Sequence, residues 1–201
     1  MKASETAVIF IEFQNDFCTE GGKLYDLVKG EIARVKTNDN AKRLLDAARA
    51  KGCTIIHCPF SLDVNWVGQC DVCGLIANVC QGEVFKPKTW GHQIIEMLAP
   101  IEGETVLANK RALSGFTNTK LGELLKCKGI KNVIIAGYLT NVCTQATAWS
   151  AYDLGYNVRM AIDACGATSQ ANHEYVENEV CPILGGKTTV DDLISMIQNG
   201  L

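Results

Sequence analysis

The sequence lacks an excess of basic residues. Its 201 residues include 19 Lys and Arg against 22 Asp and Glu, which gives a formal net charge of −3. No cluster of Lys and Arg stands out along the chain. Nucleic-acid binding depends on such a cationic excess, because phosphates must be neutralised. The composition therefore argues against a nucleic-acid partner.

Long apolar runs and phosphate-binding loops are missing as well. No apolar stretch approaches the roughly 20 residues of a membrane span, and Glu12 interrupts the first one, which makes the N-terminus a poor signal peptide. The glycine pairs Gly21-Gly22 and Gly185-Gly186 do not have the spacing of a phosphate-binding loop. We therefore expect a cytoplasmic protein with no membrane partner and no cofactor.

The chain has ten cysteines, a number that would suit a disulfide scaffold in a short secreted protein. This chain is too long and too regularly patterned for that class, so we interpret the cysteines as thiols. Cys70 and Cys73, with Cys80 nearby, form half of the pattern of a zinc site. The fourth ligand would have to come from elsewhere, such as His92. Packing thiols or a subunit contact are the favoured interpretation, and we expect no metal.

Strand-like apolar runs alternate with helix-like segments along the chain. Leu44, Leu45 and Ala48 share one helical face between the first two runs. Such alternation predicts an α/β fold, a three-layer α/β/α sandwich with a mainly parallel, Rossmann-like central sheet. The length suits a single domain over residues 1–201. The predicted strands are 7–11, 54–58, 105–109, 133–136 and 158–162.

The least regular part of the sequence runs from residue 59 to residue 87 and contains Trp66. It is longer than the loops that usually connect two elements of a compact domain. We therefore interpret segment 59–87 as an irregular lid over the active site or as a subunit contact.

Three predicted strands are followed by polar residues that carry chemistry, namely Glu12, Lys110 and Cys143. The carboxyl ends of parallel strands meet at one edge of a sheet, where active sites gather. A carboxylate there can take the thiol proton, and an ammonium can hold that carboxylate ionised. The resulting thiolate can attack a carbonyl carbon, and backbone N–H groups of the turn can form an oxyanion hole.

Cys143 stands where the buried strand 132–137 is followed by a predicted helix over 141–152, which Gly155 would close. The first turn of a helix has unpaired N–H groups and the positive end of the helix dipole, and both favour a thiolate. We therefore expect Cys143 to be the fastest-alkylating of the ten thiols near neutral pH.

Three sequence blocks together resemble the isochorismatase-like cysteine hydrolases. They are Ile-Glu-Phe-Gln-Asn-Asp-Phe at 11–17, Lys110 with Ser-Gly-Phe at 114–116, and Gly-Tyr-Leu-Thr-Asn-Val-Cys at 137–143. The resemblance extends from about residue 6 to residue 168 in the order and spacing of that superfamily. Its members include nicotinamidases, carbamoylsarcosine amidohydrolase and ureidoacrylate hydrolases.

This resemblance implies that Cys143 is the nucleophile and Lys110 its charge partner. It also implies a cis peptide bond between Tyr138 and Leu139, with the N–H groups of Leu139 and Cys143 forming the oxyanion hole. The usual acid of the family is an aspartate, whereas this chain has Glu12, whose oxygens lie on the order of 1 Å further out. We interpret Glu12 as the base. The alternative is a structural acid in a weakened or redirected enzyme.

The small number of histidines argues against one branch of the superfamily that the chain resembles. Its metal-dependent nicotinamidases carry an Asp-x-His pair and further histidines, but this chain has only His57, His92 and His173, and Asp63 has no histidine beside it. We therefore do not expect nicotinamide as substrate. True isochorismatases lack the cysteine and cleave a vinyl ether, so Cys143 favours acyl chemistry.

Four aromatic residues are candidates for an apolar substrate pocket, although core packing explains any one of them equally well. The leading interpretation is a cysteine hydrolase, a homodimer or homotetramer, that cleaves a C–N bond of a small amide or ureido compound through a Cys143 thioester. Two alternatives remain: a weakly active member that serves as a binding or scaffold protein, and a hydrolase of a vinyl ether or ester. The candidate pocket residues are Phe17, Trp66, Phe116 and Tyr138.

Overall fold

The computed structural model of the protein describes residues 1–61 and 73–199. Within these ranges, five parallel strands form one sheet. The strands are β1 (Thr6–Ile11), β2 (Thr54–Cys58), β3 (Thr105–Val106), β4 (Asn132–Tyr138) and β5 (Asn157–Gly166). Their order across the sheet is β3-β2-β1-β4-β5. The chain thus crosses over between β3 and β4, and β1 lies at the centre.

Helices pack on both faces of this sheet. They are α1 (Asn15–Cys18), α2 (Tyr25–Val35), α3 (Thr37–Lys51), α4 (Leu75–Gln81), α5 (Leu121–Cys127), α6 (Gln145–Asp153), α7 (Gln170–Tyr175), α8 (Cys181–Leu184) and α9 (Val190–Asn199). Short 3-10 turns occur at Ala3–Glu5, Trp90–His92 and Glu96–Leu98, and π turns at Thr140–Thr144 and Val176–Val180. In the described ranges, no helix combines the length and the apolar character needed to span a membrane.

Strand β1 shows why the fold has three layers. All six of its residues are buried, and successive side chains of a strand point to opposite faces. Val8 and Phe10 belong to the apolar cluster that includes residues of α2, α3 and α9. Ala7, Ile9 and Ile11 belong to a second cluster with residues of α5, α6 and α8. The predicted α/β/α sandwich is therefore confirmed.

The edges of the sheet differ from the prediction in length. Strand β3 has two residues, where the sequence predicted a run over 105–109. The chain stays close to β2 beyond that point, because the N–H of Leu107 donates to the carbonyl of His57 at 2.8 Å. Strand β5 is longer than predicted and ends at Gly166, next to Tyr138 of β4.

The segment 59–87 is more regular than its sequence suggested, because it contains α4. Leu75, Ile76 and Val79 fall on one side of this helix, which is the spacing of an apolar face. All three side chains line the cavity described below. Residues 62–72, which include Trp66 and Cys70, lie outside the described ranges.

Candidate active site

Glu12 follows the last residue of β1, at the carboxyl edge of the sheet. Its N–H donates to the carbonyl of Cys58 at 3.1 Å, which extends the strand pairing by one residue. Its backbone then takes a φ of 56°, a conformation that is uncommon for a residue with a side chain. The carboxylate is only 2 % exposed. A charge at such a depth needs a partner.

Lys110 supplies that partner. Its backbone pairs with Phe60 in an isolated parallel bridge, and its ammonium donates to the Glu12 carboxylate and, at 2.7 Å, to the carbonyl of Ala112. The nitrogen also lies 5.1 Å from the centre of the Phe60 ring, within the range of a cation–π contact. Burial is the largest single effect and lowers the pKa of Lys110, but the charge and hydrogen bond of Glu12, together with contributions from the neighbouring thiols, outweigh it and raise that pKa. Lys110 therefore stays protonated.

Cys143 lies in the π turn Thr140–Thr144, between the end of β4 and the start of α6. Its backbone carbonyl accepts a hydrogen bond of 2.7 Å from the hydroxyl of Thr147, and that hydroxyl accepts one of 2.9 Å from the N–H of Gly115. These bonds tie the turn to α6 and to the loop after Lys110. The cysteine is buried, with 5 % of its surface exposed.

The ionisation of Cys143 differs from the sequence prediction. Burial raises the pKa of the thiol well above its usual range, and the negative charge of Glu12 raises it further. The Lys110 ammonium lowers this pKa, but not enough to reverse the direction. The expected preference for a thiolate is therefore wrong for the unliganded protein, since the helix-start effect was judged without desolvation or the neighbouring carboxylate. The resting side chain is a neutral thiol.

Glu12 and Cys143 open onto one cavity of about 220 Å³. This volume is below the range of about 300–1,000 Å³ that is usual for drug-sized ligands. The site therefore suits a small molecule. Its other described lining residues are almost all apolar: Phe17, Leu24, Leu27, Phe60, Leu75, Ile76, Asn78, Val79, Val84, Phe85, Leu113, Leu139, Val142 and Thr168.

The predicted aromatic residues are distributed differently around this cavity. Phe17 is in its wall. Tyr138 lies behind Phe17, with ring centres 5.5 Å apart, and its hydroxyl donates to Asn38 at 2.7 Å. Phe116 packs against Tyr156 at 6.3 Å. Neither Tyr138 nor Phe116 is among the described residues that line the cavity, because their rings are used in packing between elements.

Asp16 is a buried acid that organises the cavity wall without touching the cavity. Its carboxylate accepts hydrogen bonds from the N–H of Phe85 at 2.7 Å and from the N–H of Lys23 at 3.2 Å. Phe85 and Leu24, the neighbour of Lys23, both line the cavity. The sequence indicates no such role for Asp16 beyond its acidic position within the block 11–17.

The comparison with protein families agrees with this geometry. Residues 6–191 match the family described as the isochorismatase domain. The chain belongs to the isochorismatase family.

Several known proteins are similar to this one over nearly the whole chain. Ureidoacrylate amidohydrolase RutB of Agrobacterium fabrum is 32% identical, with 98% of this chain and 92% of the relative covered. A solved cysteine hydrolase from Pseudomonas syringae has a TM-score of 0.84 at 26% identity and covers 100% of this chain and 96% of its own. N-carbamoylsarcosine amidase from Thermoplasma acidophilum has a TM-score of 0.74 at 22% identity, covering 95% and 98%, and shares the fold.

The turn after β4 shows one feature that the family resemblance implies. The peptide bond between Tyr138 and Leu139 is cis, as implied. The carbonyl of Leu139 accepts hydrogen bonds from the N–H groups of Val142 and Thr144, on either side of Cys143.

Trp66 lies outside the described ranges. Within those ranges, no three His, Cys, Asp or Glu side chains are grouped so that they could hold a metal ion.

Proposed function

We propose that this isochorismatase-family protein hydrolyses a C–N bond of a small amide or ureido compound through a thioester on Cys143. One observation carries the proposal: the carboxylate of Glu12, held in a buried ion pair with Lys110, lines the same cavity as the buried thiol of Cys143. The name of the relative that is 32% identical, an amidohydrolase of ureidoacrylate, supports the bond type.

The first step is attack of the Cys143 sulfur on the substrate carbonyl carbon. Because the resting thiol is neutral, its proton must leave as the sulfur–carbon bond forms. Glu12 lines the same cavity and is a carboxylate that can accept this proton. Lys110 keeps its positive charge and compensates the buried negative charge throughout.

The attack places negative charge on the carbonyl oxygen of the substrate. We propose that the N–H groups of Leu139 and Cys143 stabilise this oxyanion, since donors aimed at developing charge lower the barrier more than they favour the ground state. The position of both residues beside the cavity supports this role.

Glu12 then returns its proton to the leaving nitrogen, and the C–N bond breaks to release ammonia or an amine. A water molecule attacks the remaining thioester, with Glu12 as the base, and Cys143 regains its proton when the C–S bond breaks. The balanced reaction consumes one water and yields an acid and an amine. A ureido substrate would give a carbamic acid in place of the carboxylic acid.

The proposal is tested by incubating the protein with a panel of small amides and ureido compounds and measuring released ammonia or amine. Acid quenching followed by mass spectrometry should show the acyl group on the peptide that contains Cys143. The Cys143→Ala variant should show neither turnover nor adduct. Turnover by that variant would overturn the assignment, and a protein that binds these amides without any turnover would favour the binding-protein alternative.

A further inference from the structure

The cavity that contains Cys143 has no positive charge on its described walls. None of its described lining residues is Lys, Arg or His. Lys110 is the cation that pairs with Glu12, but its ammonium is fully buried and already donates to Glu12 and to the carbonyl of Ala112. It is therefore the partner of the catalytic carboxylate and not a receptor for a second anion.

Residues 62–72 lie outside the described ranges, and their composition adds no cation. This stretch contains Asp63 and Asp71 but no Lys, Arg or His. By composition, this segment has no side chain that could form an ion pair with an anion. The absence of a cation therefore holds for the described walls and, by sequence, for this segment.

The apolar character continues from the floor of the cavity to its mouth. Val79 and Phe85 are buried in the wall. Leu27 and Leu75, which also line the cavity, are 56 % and 44 % exposed. Such large apolar side chains on a cavity rim favour a ligand that covers them, because burying apolar surface is favourable.

The charge of Glu12 adds a second reason for selectivity. A substrate carboxylate in this cavity would lose its hydration without gaining an ion pair, which is costly in an apolar site. It would also lie in the same small space as a carboxylate that must accept a proton, and like charges that approach closely repel. A neutral substrate with an apolar substituent meets neither obstacle.

We infer that the substrate is a small, uncharged amide or ureido compound whose substituent is apolar, and that carboxylate-bearing analogues are rejected. This inference rests on the proposed C–N hydrolysis and adds the substrate class. It separates the chain from its relative named for ureidoacrylate, a compound that carries a carboxylate.

A pair of matched amides tests the inference. In 4-methylpentanamide an isopropyl group occupies the place of the carboxylate of succinamate, so the two molecules have similar shape and differ mainly in charge. We expect kcat/KM for 4-methylpentanamide to exceed that for succinamate by on the order of 100-fold or more. Equal or greater turnover of succinamate would overturn the inference and leave the proposed hydrolysis intact.

Binding to the Cys143→Ala variant separates the two hypotheses if turnover is absent. Calorimetry with the same two amides reports the preference of the cavity without any chemical step. We expect the neutral amide to bind at least about tenfold more tightly. Tighter or equal binding of succinamate would contradict the inferred substrate class. An absence of turnover in the wild-type protein would contradict only the proposed reaction.

A cation placed at the mouth should change the selectivity. Leu27→Lys introduces a positive charge on the rim, and Leu154→Lys is the matched control, because Leu154 is 59 % exposed and is not among the described lining residues. We expect Leu27→Lys to raise kcat/KM for succinamate about tenfold relative to 4-methylpentanamide, with no change in the control. An unchanged ratio in a folded Leu27→Lys protein would contradict the electrostatic basis.

Discussion

The ammonium of Lys110 donates to the carboxylate of Glu12, although the two residues are 98 positions apart and both side chains are almost completely buried. Each charge is tolerated in the interior because the other is present. The pair also brings the end of β1 together with the loop that follows β3. Under the proposed mechanism, stability and activity therefore depend on the same contact.

Removing the charge of Glu12 should reduce kcat more than shortening its side chain does. Glu12→Gln keeps the size but cannot accept the thiol proton, so we expect kcat to fall on the order of 100-fold or more. Glu12→Asp keeps a carboxylate and should retain partial turnover or gain it. Steady-state kinetics with a confirmed amide gives the order, and Glu20→Gln at an exposed position is the control. Wild-type activity in Glu12→Gln would show that another group takes the proton.

Lys110→Met should destabilise the protein by about 3–5 kcal/mol, because it leaves the Glu12 charge buried without a partner. The double variant with Glu12→Gln should recover at least about 1 kcal/mol relative to the sum of the single changes, since it buries no charge. Urea unfolding of the four proteins measures this coupling, and Lys126→Met at an exposed position is the control. Strict additivity would mean that the pair does not contribute as proposed. Activity should stay lost in the double variant.

The reactivity of Cys143 should increase with pH beyond the range of an ordinary thiol. Its raised pKa means that the thiolate fraction is small at neutral pH and keeps growing above about pH 9, the usual value for cysteine. Mass mapping after limiting iodoacetamide should find the exposed Cys73 and Cys127 labelled first at pH 7. Preferential labelling of Cys143 at pH 7 would instead support the thiolate expected from the helix-start position.

Asp16→Asn should disturb the cavity wall, and with it substrate binding, more than the chemical step. The amide can accept one of the two N–H groups that the carboxylate now accepts, from Phe85 and Lys23, but must present its own donor to the other. We expect a loss of about 1–3 kcal/mol in unfolding free energy and a larger change in KM than in kcat. Asp153→Asn, at an exposed position, is the matched control. A change confined to kcat would point to a direct part in catalysis.

Turnover should survive a chelator. The proposed steps use the thiol, the carboxylate and backbone donors, and the described residues contain no group of three metal-ligating side chains. Activity measured before and after dialysis against EDTA should agree within error. Loss of activity that zinc restores would require a revised mechanism.

Much of the fold followed from sequence because its signals are local. The alternation of buried strands and amphipathic helices predicted the three-layer sandwich, and the spacing of Leu44, Leu45 and Ala48 identified the buried face of α3. The extent of β3 and the helix α4 were missed. Leu75–Gln81 is a short helix. Its sequence pattern is too brief to predict a helix, and its apolar face can be recognised only once the cavity that it lines is known.

The sequence by itself singled out Glu12, Lys110 and Cys143 as candidates, because each is a polar residue at or shortly after the end of a predicted apolar strand, and parallel strands end at one edge. Only the tertiary structure decided how these groups are charged and what surrounds them. Desolvation and the field of Glu12 depend on atoms that are distant in the chain, and they made Cys143 a neutral thiol against the local helix effect. The same long-range packing placed Phe17 on the cavity and turned Tyr138 and Phe116 away from it, since side-chain type does not encode which neighbour a ring will meet.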